Sequence, residues 1–439
     1  MAIKSFKWLA LLCGVSIGSA SLAHAQDSGP LIDALVKKGI LNDQEAEEIR
    51  ADLIKDFGAT SAGKLNLSSA LTELTLSGDA RVRFENRSGQ NGTTGDTQDR
   101  NRYRYRLRLS LAGKFQDGWF FGTRIEPVGN NRSTNITAGN GVTTTTGPFN
   151  KEDNLSLGQL YIGREMGDFT VIAGRMPNPL VLTPMVWDED INPEGLSEKW
   201  KHEAGRVTWM ANLAQFTYET AGTTNSFGAA GRQNTFLWAF QGGAKVKVSE
   251  GVTVQVMPSY YTYSGGASSA GALTTPNSAS LQPLGLSVID IPFEVGFKIG
   301  SLPAKVFGDF AYNTDADTRA KAALGTTKYG TEDKAYMVGF GVGTSKVKGD
   351  YEAKVFYQAV DAFALDTNLV DSDLFDSRTN MQGYGVSFTY VLSNGVVAKL
   401  TYANADRKNG SLATYGAGDI ATVNLTHYEL IQADLSVKF

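Results

Sequence analysis

The sequence contains almost no cysteine and very little histidine. Its single cysteine is Cys13, and only three of its 439 residues are histidines. Beyond residue 25, a disulfide framework and a thiolate nucleophile are therefore excluded. His202 and His427 do not stand in a Gly-x-Ser-x-Gly context or another recognisable catalytic motif. We predict no catalytic residue, no metal, no cofactor and no enzymatic activity.

A long apolar segment is also missing. After residue 25, no apolar stretch approaches the roughly 20 residues that a membrane-spanning helix needs. The N-terminus itself carries Lys4 and Lys7, an apolar run over Trp8–Ile17, and Ala-His-Ala at 23–25. These features predict a cleaved signal peptide over residues 1–25. A secreted chain that has no spanning helix can cross a membrane only as a closed β-barrel.

An excess of positive charge is absent as well. The formal net charge is −4, and removal of Lys4 and Lys7 with the signal peptide would lower it to about −6. Such a chain has no global basic footprint, so we predict no nucleic-acid partner.

Residues 26–57 have a helical pattern that differs from the rest of the chain. Pro30 suits a first helical turn and Gly39 a helix C-terminus, while Asn42 and Glu45 have capping-box spacing. This predicts a short helical hairpin, followed by a linker over 58–70. The hairpin could pair with copies of itself, plug a barrel mouth, tether a periplasmic partner, or remain a loosely ordered tail.

From residue 71 to 439 the dominant period is two. In RNRYRYRLRLSL (100–111), arginines alternate with aromatic and aliphatic residues, and weaker versions of the pattern recur along the chain. Apolar-out, polar-in strands of about ten residues are typical of membrane barrels. Merging the segments on either side of Pro292 gives sixteen strands, with fourteen or eighteen as alternatives. We predict an all-β transmembrane fold, an antiparallel closed barrel whose connections alternate between short turns and long loops, among them 88–99, 177–197, 314–331 and 361–378.

Three segments resemble the putative porin family of Gram-negative bacteria: DALVKKGILNDQEAEEIRADL near the N-terminus, GRMPNPLVLTPMVWDEDINPEGL, and GYGVSFTYVLSNGVVAKLTYANADRKN with the terminal strand LIQADLSVKF. The final Phe439 resembles the signal that the barrel-assembly machinery reads during insertion. The resemblance implies an outer-membrane channel embedded in lipid, similar to general porins, which commonly form trimers. It also implies passive diffusion of small hydrophilic solutes.

Two groups of residues are candidates for controlling such a channel. The first is a basic wall on the inferred inner face of the first three strands: Arg81, Arg83, Arg102, Arg104, Arg106, Arg108 and Arg124. The second is the acidic part of loop 177–197, which by position resembles a constriction loop: Asp188, Glu189, Asp190 and Glu194. Facing each other, the two groups would create a transverse field that orients dipolar solutes and leaves the net charge selectivity modest. We predict ion transport and the passage of small hydrophilic or anionic solutes. Alternatively, the wall is ordinary solvated lining, and the loop lies outside and binds divalent cations or lipopolysaccharide. A dedicated channel for a polyanion or an oligosaccharide, and a structural tether, remain alternative functions.

Overall fold

The computed structural model describes residues 32, 35–38, 40–41, 44–50, 68, 70–127, 133–139, 155–219, 234–265, 285–416, 418–420 and 424–439. The chain divides into two units, residues 1–68 and 69–439. In the first unit, residues 35–37 and 44–50 are helical. The predicted signal peptide and most of the predicted linker lie outside the described residues. Within the described ranges, no helix is both long enough and apolar enough to span a membrane.

The second unit is a closed antiparallel barrel of sixteen strands, as predicted. β1 pairs with the last strand from Asp79 opposite Lys438 onward, which closes the sheet. The strands are β1 Leu71–Asn91, β2 Thr97–Phe115, β3 Trp119–Pro127, β4 Leu155–Met166, β5 Phe169–Arg175, β6 Glu194–Ala204, β7 Val207–Glu219, β8 Thr235–Ser249, β9 Val252–Val256 with Ser259–Gly265, β10 Ser287–Asp290 with Phe293–Ile299, β11 Leu302–Asn313, β12 Lys334–Gly343, β13 Tyr351–Val360, β14 Met381–Ser393, β15 Val396–Arg407 and β16 Leu425–Lys438.

Two of these strands are interrupted by proline. β9 breaks at Pro258 and β10 at Pro292, because proline has no N–H to donate to the ladder. The carbonyl groups of both prolines still accept hydrogen bonds of 3.0 Å, from Gly242 and Met257. Each pair of segments therefore continues as one strand, which confirms the count of sixteen. A further two-residue strand, Ile136–Thr137, lies in a loop and pairs with β2.

The predicted alternation of faces is confirmed. On β1, Leu76 and Val82 are 70% and 59% exposed on the outside, whereas Arg83 and Glu85 are 4% and 0% exposed inside. An apolar outer band and a polar interior suit a barrel whose outer surface meets lipid and whose interior meets water. The pattern on the strands thus defines a lumen.

Several long connections differ from the prediction. The hairpin pairing continues through Ser88 and Asp99, so the 88–99 connection is mostly strand. The connection after β11 contains a helix, α1 Ala316–Leu324. Two others, loop L3 (residues 176–193) and loop L7 (residues 361–380), are largely buried inside the barrel. L7 was predicted to be an external loop. Its Ala362, Phe363 and Leu365 are at most 2% exposed, and on the outside these apolar side chains would face water.

Candidate channel constriction

Loop L3 enters the lumen and touches several parts of its wall. The side chain of Gln241 on β8 accepts a hydrogen bond from the Val181 amide and donates one to its carbonyl, both at 2.8 Å. The Thr183 hydroxyl donates to Asp309 on β11. L3 therefore reaches from its root between β5 and β6 across to β11.

Loop L7 crosses the lumen from one wall to the other. Near its start, Asp366 accepts hydrogen bonds from Tyr218 at 2.9 Å and from Tyr263 at 2.7 Å. Tyr263 belongs to β9, which lies opposite β1 in the closed sheet. Farther along, Asp373 binds Arg83 and Arg87 of β1, at 2.7 and 2.6 Å. L7 is thus fixed at both ends, like a bar across the barrel.

The two loops are joined where they meet. The Asp188 amide donates to the Leu369 carbonyl at 2.6 Å, and the Ser372 amide donates back to the Asp188 carboxylate at 3.0 Å. The Asp371 amide donates to the Pro184 carbonyl at 3.1 Å. Burial, together with neighbouring carboxylates, raises the pKa of Asp188 and raises that of Asp371 well above its usual value. We refer to L3 and L7 together as the crossbar.

Apolar packing stabilises the crossbar. Met185 and Trp187 of L3 and Leu365 of L7 join one buried cluster with Phe216 and Leu237 of the wall. Complete burial of a side chain of this size contributes about 1.5–3 kcal/mol. The crossbar is therefore a packed part of the barrel interior.

The predicted basic wall lies on the inner face, and most of its charge is paired. Arg87, which the prediction omitted, is only 1% exposed. It binds Glu85 at 2.9 Å, Asp373 at 2.6 Å, Asp376 at 3.2 Å and Asp419 at 3.4 Å. Burial acts to raise the pKa of Asp419, but the nearby arginines outweigh it and lower that pKa to about 2.

The remaining members of the wall also have polar partners. Each lies within hydrogen-bond or ion-pair distance of an acidic or amide side chain: Arg81 with Asn135, Arg83 with Asp434, Arg102 with Glu85 and Asp419, Arg104 with Glu85, Arg106 and Arg108 with Asp79, and Arg124 with Glu126. The wall is thus a network that holds loops against β1–β3 rather than a row of unpaired charges.

The four predicted acidic residues occupy different places. Asp188 is 4% exposed within the crossbar. Asp190 lies 3.5 and 3.6 Å from arginines of β2, so this part of L3 does face the basic wall. Glu189 lines the remaining open space. Glu194 is not in the loop, because strand pairing already begins there. It is the first residue of β6 and pairs at 3.3 Å with Arg175 of β5.

The space left open by the crossbar lies to one side. A cavity of about 390 Å³ separates the tip of L3 and Leu374 of L7 from the wall formed by β9–β15. Lys305, Lys354 and Lys399 line it. The prediction missed these lysines because Phe307 and Phe356 share the inner face with Lys305 and Lys354, so the polar alternation that is continuous on β2 is interrupted on these strands.

Comparisons with known proteins agree with this architecture. A family model described as "Putative porin" matches residues 66–282. The matched segment, just under half of the chain, is similar to the putative porin family. No curated protein matched the sequence. Among solved structures, "High pH structure of Pseudomonas putida OprB" is similar, at 11% identity and a TM-score of 0.51 over 83% of this chain and 94% of that one. A double mutant of Rh. blastica porin matches at 10% identity and a TM-score of 0.43, over 84% of this chain and 100% of that one.

At these identities the structural likeness concerns the fold alone. Family and fold together make this chain a porin-like channel protein, and such barrels belong to outer membranes. Two loops narrow the lumen, and the cavity that they leave lies against the lysine-bearing wall.

Proposed function

We propose that this porin is a non-enzymatic outer-membrane diffusion channel for small hydrophilic solutes, anions included. The observation that carries the proposal is the cavity between the crossbar and β9–β15, which is lined by charged side chains inside a barrel with an apolar exterior. Sixteen strands enclose enough space for an aqueous channel even after loops enter it. Water and small solutes would follow this eccentric path.

The supporting features at the ends of the chain fit the same role. A signal peptide over residues 1–25 would direct export, and Phe439 would serve barrel insertion through the assembly machinery. Phe439 is 60% exposed at the end of β16, where a partner can reach it. Residues 26–57 as a periplasmic tether remain a separate prediction, which deletion of that segment would test.

We also propose a homo-oligomer, most simply a trimer, whose interface includes β6 and β7. Glu198 lies on the outer face of β6, opposite the outward-facing Leu213 of β7. Its carboxylate accepts a hydrogen bond of 3.5 Å from Gln215 of β7, and the register gives it no cationic neighbour on that strand. A charged group on the lipid face of a barrel is costly, so a neighbouring copy is the better cover. Cross-linking of Glu198→Leu in detergent should give less oligomer than the unaltered protein does.

The channel itself is tested by conductance in planar bilayers. Purified mature protein should give steady single-channel steps. Ser387→Trp places a large side chain in the passage, because Ser387 lines the cavity, and should lower the conductance severalfold. Phe388→Trp is the matched control, since Phe388 is 46% exposed on the outside. Absence of steps from the unaltered protein, or equal effects of both variants, would contradict the proposal. A very small conductance saturated by one solute would favour the substrate-specific alternative.

A further inference from the structure

The charges on the inner wall are unevenly distributed along the barrel axis. Lysines gather on the inner face of β8–β15, near the strand ends that meet the short turns. They are Lys245, Lys247, Lys298, Lys305, Lys354 and Lys399, here called the lysine strip. By contrast, the buried acidic residues Asp290 and Asp309 of the same wall lie nearer the long loops. Strand register places the strip on one face: Lys245 is opposite Gln255, which is opposite Glu294.

Three members of the strip converge at the constriction. Lys305 and Lys354 flank Gly341 on β12 in the strand register. A Cβ atom on Gly341 would lie 3.4 and 3.5 Å from their Cγ atoms. The two side-chain stems therefore lie over the glycine, one from each side. Lys399 lines the same cavity, close to Glu189 at the edge of the crossbar.

The strip keeps an excess of positive charge. Lys305 pairs with Glu294 at 2.7 Å and Lys354 with Glu352 at 3.0 Å. Among the residues that the structure describes, Lys245, Lys247, Lys298 and Lys399 form no ion pair. Glu189 is a third acid, and Asp434, which lies opposite Lys399 in the strand register and also binds Arg83, is a fourth, so six lysines face four carboxylates. The basic wall on β1–β3 differs, because all of its guanidinium groups except that of Arg81, which donates to Asn135, are already paired with carboxylates of the wall and loops. A mobile anion in the passage would therefore meet lysines rather than arginines.

We propose that the lysine strip is the anion-binding site of this channel, and that it takes small multivalent oxyanions bearing phosphate or carboxylate groups. This inference rests on the proposed channel function and names its preferred solute class. Lysine ammonium groups are hydrated point charges on flexible stems. They attract an oxyanion without the bidentate grip of arginine, so binding is weak enough for release, as conduction requires. Neighbouring strands are about 4.8 Å apart, so an anion remains within a Debye length of about 8–10 Å of several lysines.

The test uses the full mature protein in planar bilayers, with tripolyphosphate as the probe anion and a KCl gradient for the reversal potential. The variant is the double substitution Lys354→Gln with Lys399→Gln. The matched control is Lys346→Gln with Lys348→Gln, which removes the same charge from the exposed turn between β12 and β13. Heat-dependent gel mobility checks that all three proteins are folded barrels.

We expect tripolyphosphate to block the KCl current of the unaltered protein, with anion-preferring reversal potentials. The strip variant should need about tenfold more tripolyphosphate for the same block, a change of about 1.4 kcal/mol, and should lose anion preference. The turn control should stay within about twofold of the unaltered protein. Equal block of all three proteins, or no block of the unaltered channel, would overturn the assignment. Absence of any conductance would instead refute the channel function.

Discussion

Replacing Arg87 tests whether the arginine network holds the crossbar in place. Arg87 is 1% exposed and contacts four carboxylates, two of which, Glu85 and Asp376, are fully buried. Arg87→Met keeps an unbranched stem in the same space and removes only the cation. The four carboxylates would then lie together with too little positive charge.

Removing one partner from a buried ion pair costs about 3–5 kcal/mol, and we expect a loss of this size in the free energy of unfolding at pH 7. The pKa of Asp419 is depressed to about 2 in the folded protein. Its ion pairs therefore stabilise the fold above the unfolded pKa, and this contribution is lost only as the pH falls through about 2. In Arg87→Met the carboxylates would protonate at higher pH, so the deficit relative to the unaltered protein should shrink as the pH is lowered from 7 to 4.

The assay is urea unfolding in lipid vesicles, followed by tryptophan fluorescence, together with conductance. Since Asp373 loses one of its two arginine partners on β1, single-channel currents should become larger and noisier. Arg124→Met is the control, because among the described residues Arg124 forms an ion pair with one carboxylate only, that of Glu126 at 2.6 Å. If Arg87→Met lowers the free energy of unfolding by less than about 1 kcal/mol, which is the contribution of a surface salt bridge, and leaves the currents unchanged, the reasoning is refuted.

Three further predictions concern the crossbar and its wall. Asp371→Asn should make the protein more stable than the unaltered protein at pH 8 but not at pH 4. Burial raises the pKa of Asp371, so the stabilising protonated form of this carboxyl is lost as the pH rises. Parallel pH profiles of the unfolding free energy for the two proteins would contradict this. Gln241→Leu removes both hydrogen bonds to L3 and should increase conductance; an unchanged current would show that these bonds do not hold the loop. Gly339→Ala should lower the unfolding free energy by about 1–3 kcal/mol, because the new Cβ would lie 2.3 Å from the Phe307 ring, whereas Gly242→Ala, with open space, should be nearly neutral.

The sequence was informative about strands because alternation reports directly on the two faces of a sheet. It predicted the strand number, the continuity across Pro292 and the inward direction of Arg83 and Arg102. A period of two says nothing about where a connection folds, so the path of L7 was missed. The apolar residues at the start of L7, Ala362–Leu365, could have indicated that this loop is buried, because Phe and Leu side chains are among those most often found in protein interiors.

The candidate site was less predictable, because the role of each charged residue depends on which ion pairs it forms in the folded barrel and not on its residue type alone. The arginines form the longest charged ladder in the sequence, yet partners distant in the chain take up their charge. Asp373 and Asp434 are 290 and 351 residues from Arg83, and no local pattern connects them. The lysines that line the open passage are each solitary in the sequence, and only the closed sheet brings them together.

The attachment of L7 to β1 also has a consequence for how the barrel is assembled. L7 precedes the last three strands, while β1 begins the sheet, so their ion pairs join an early and a late part of the chain. Closing so long a loop costs chain entropy, which β1 and β16 must otherwise overcome when they pair. Once L7 has docked on β1, part of that cost has already been met, and the two edges of the open sheet are held near each other. If L7 docks on β1 before the barrel closes, the loop that narrows the finished channel would also hold the two edges of the unfinished sheet together.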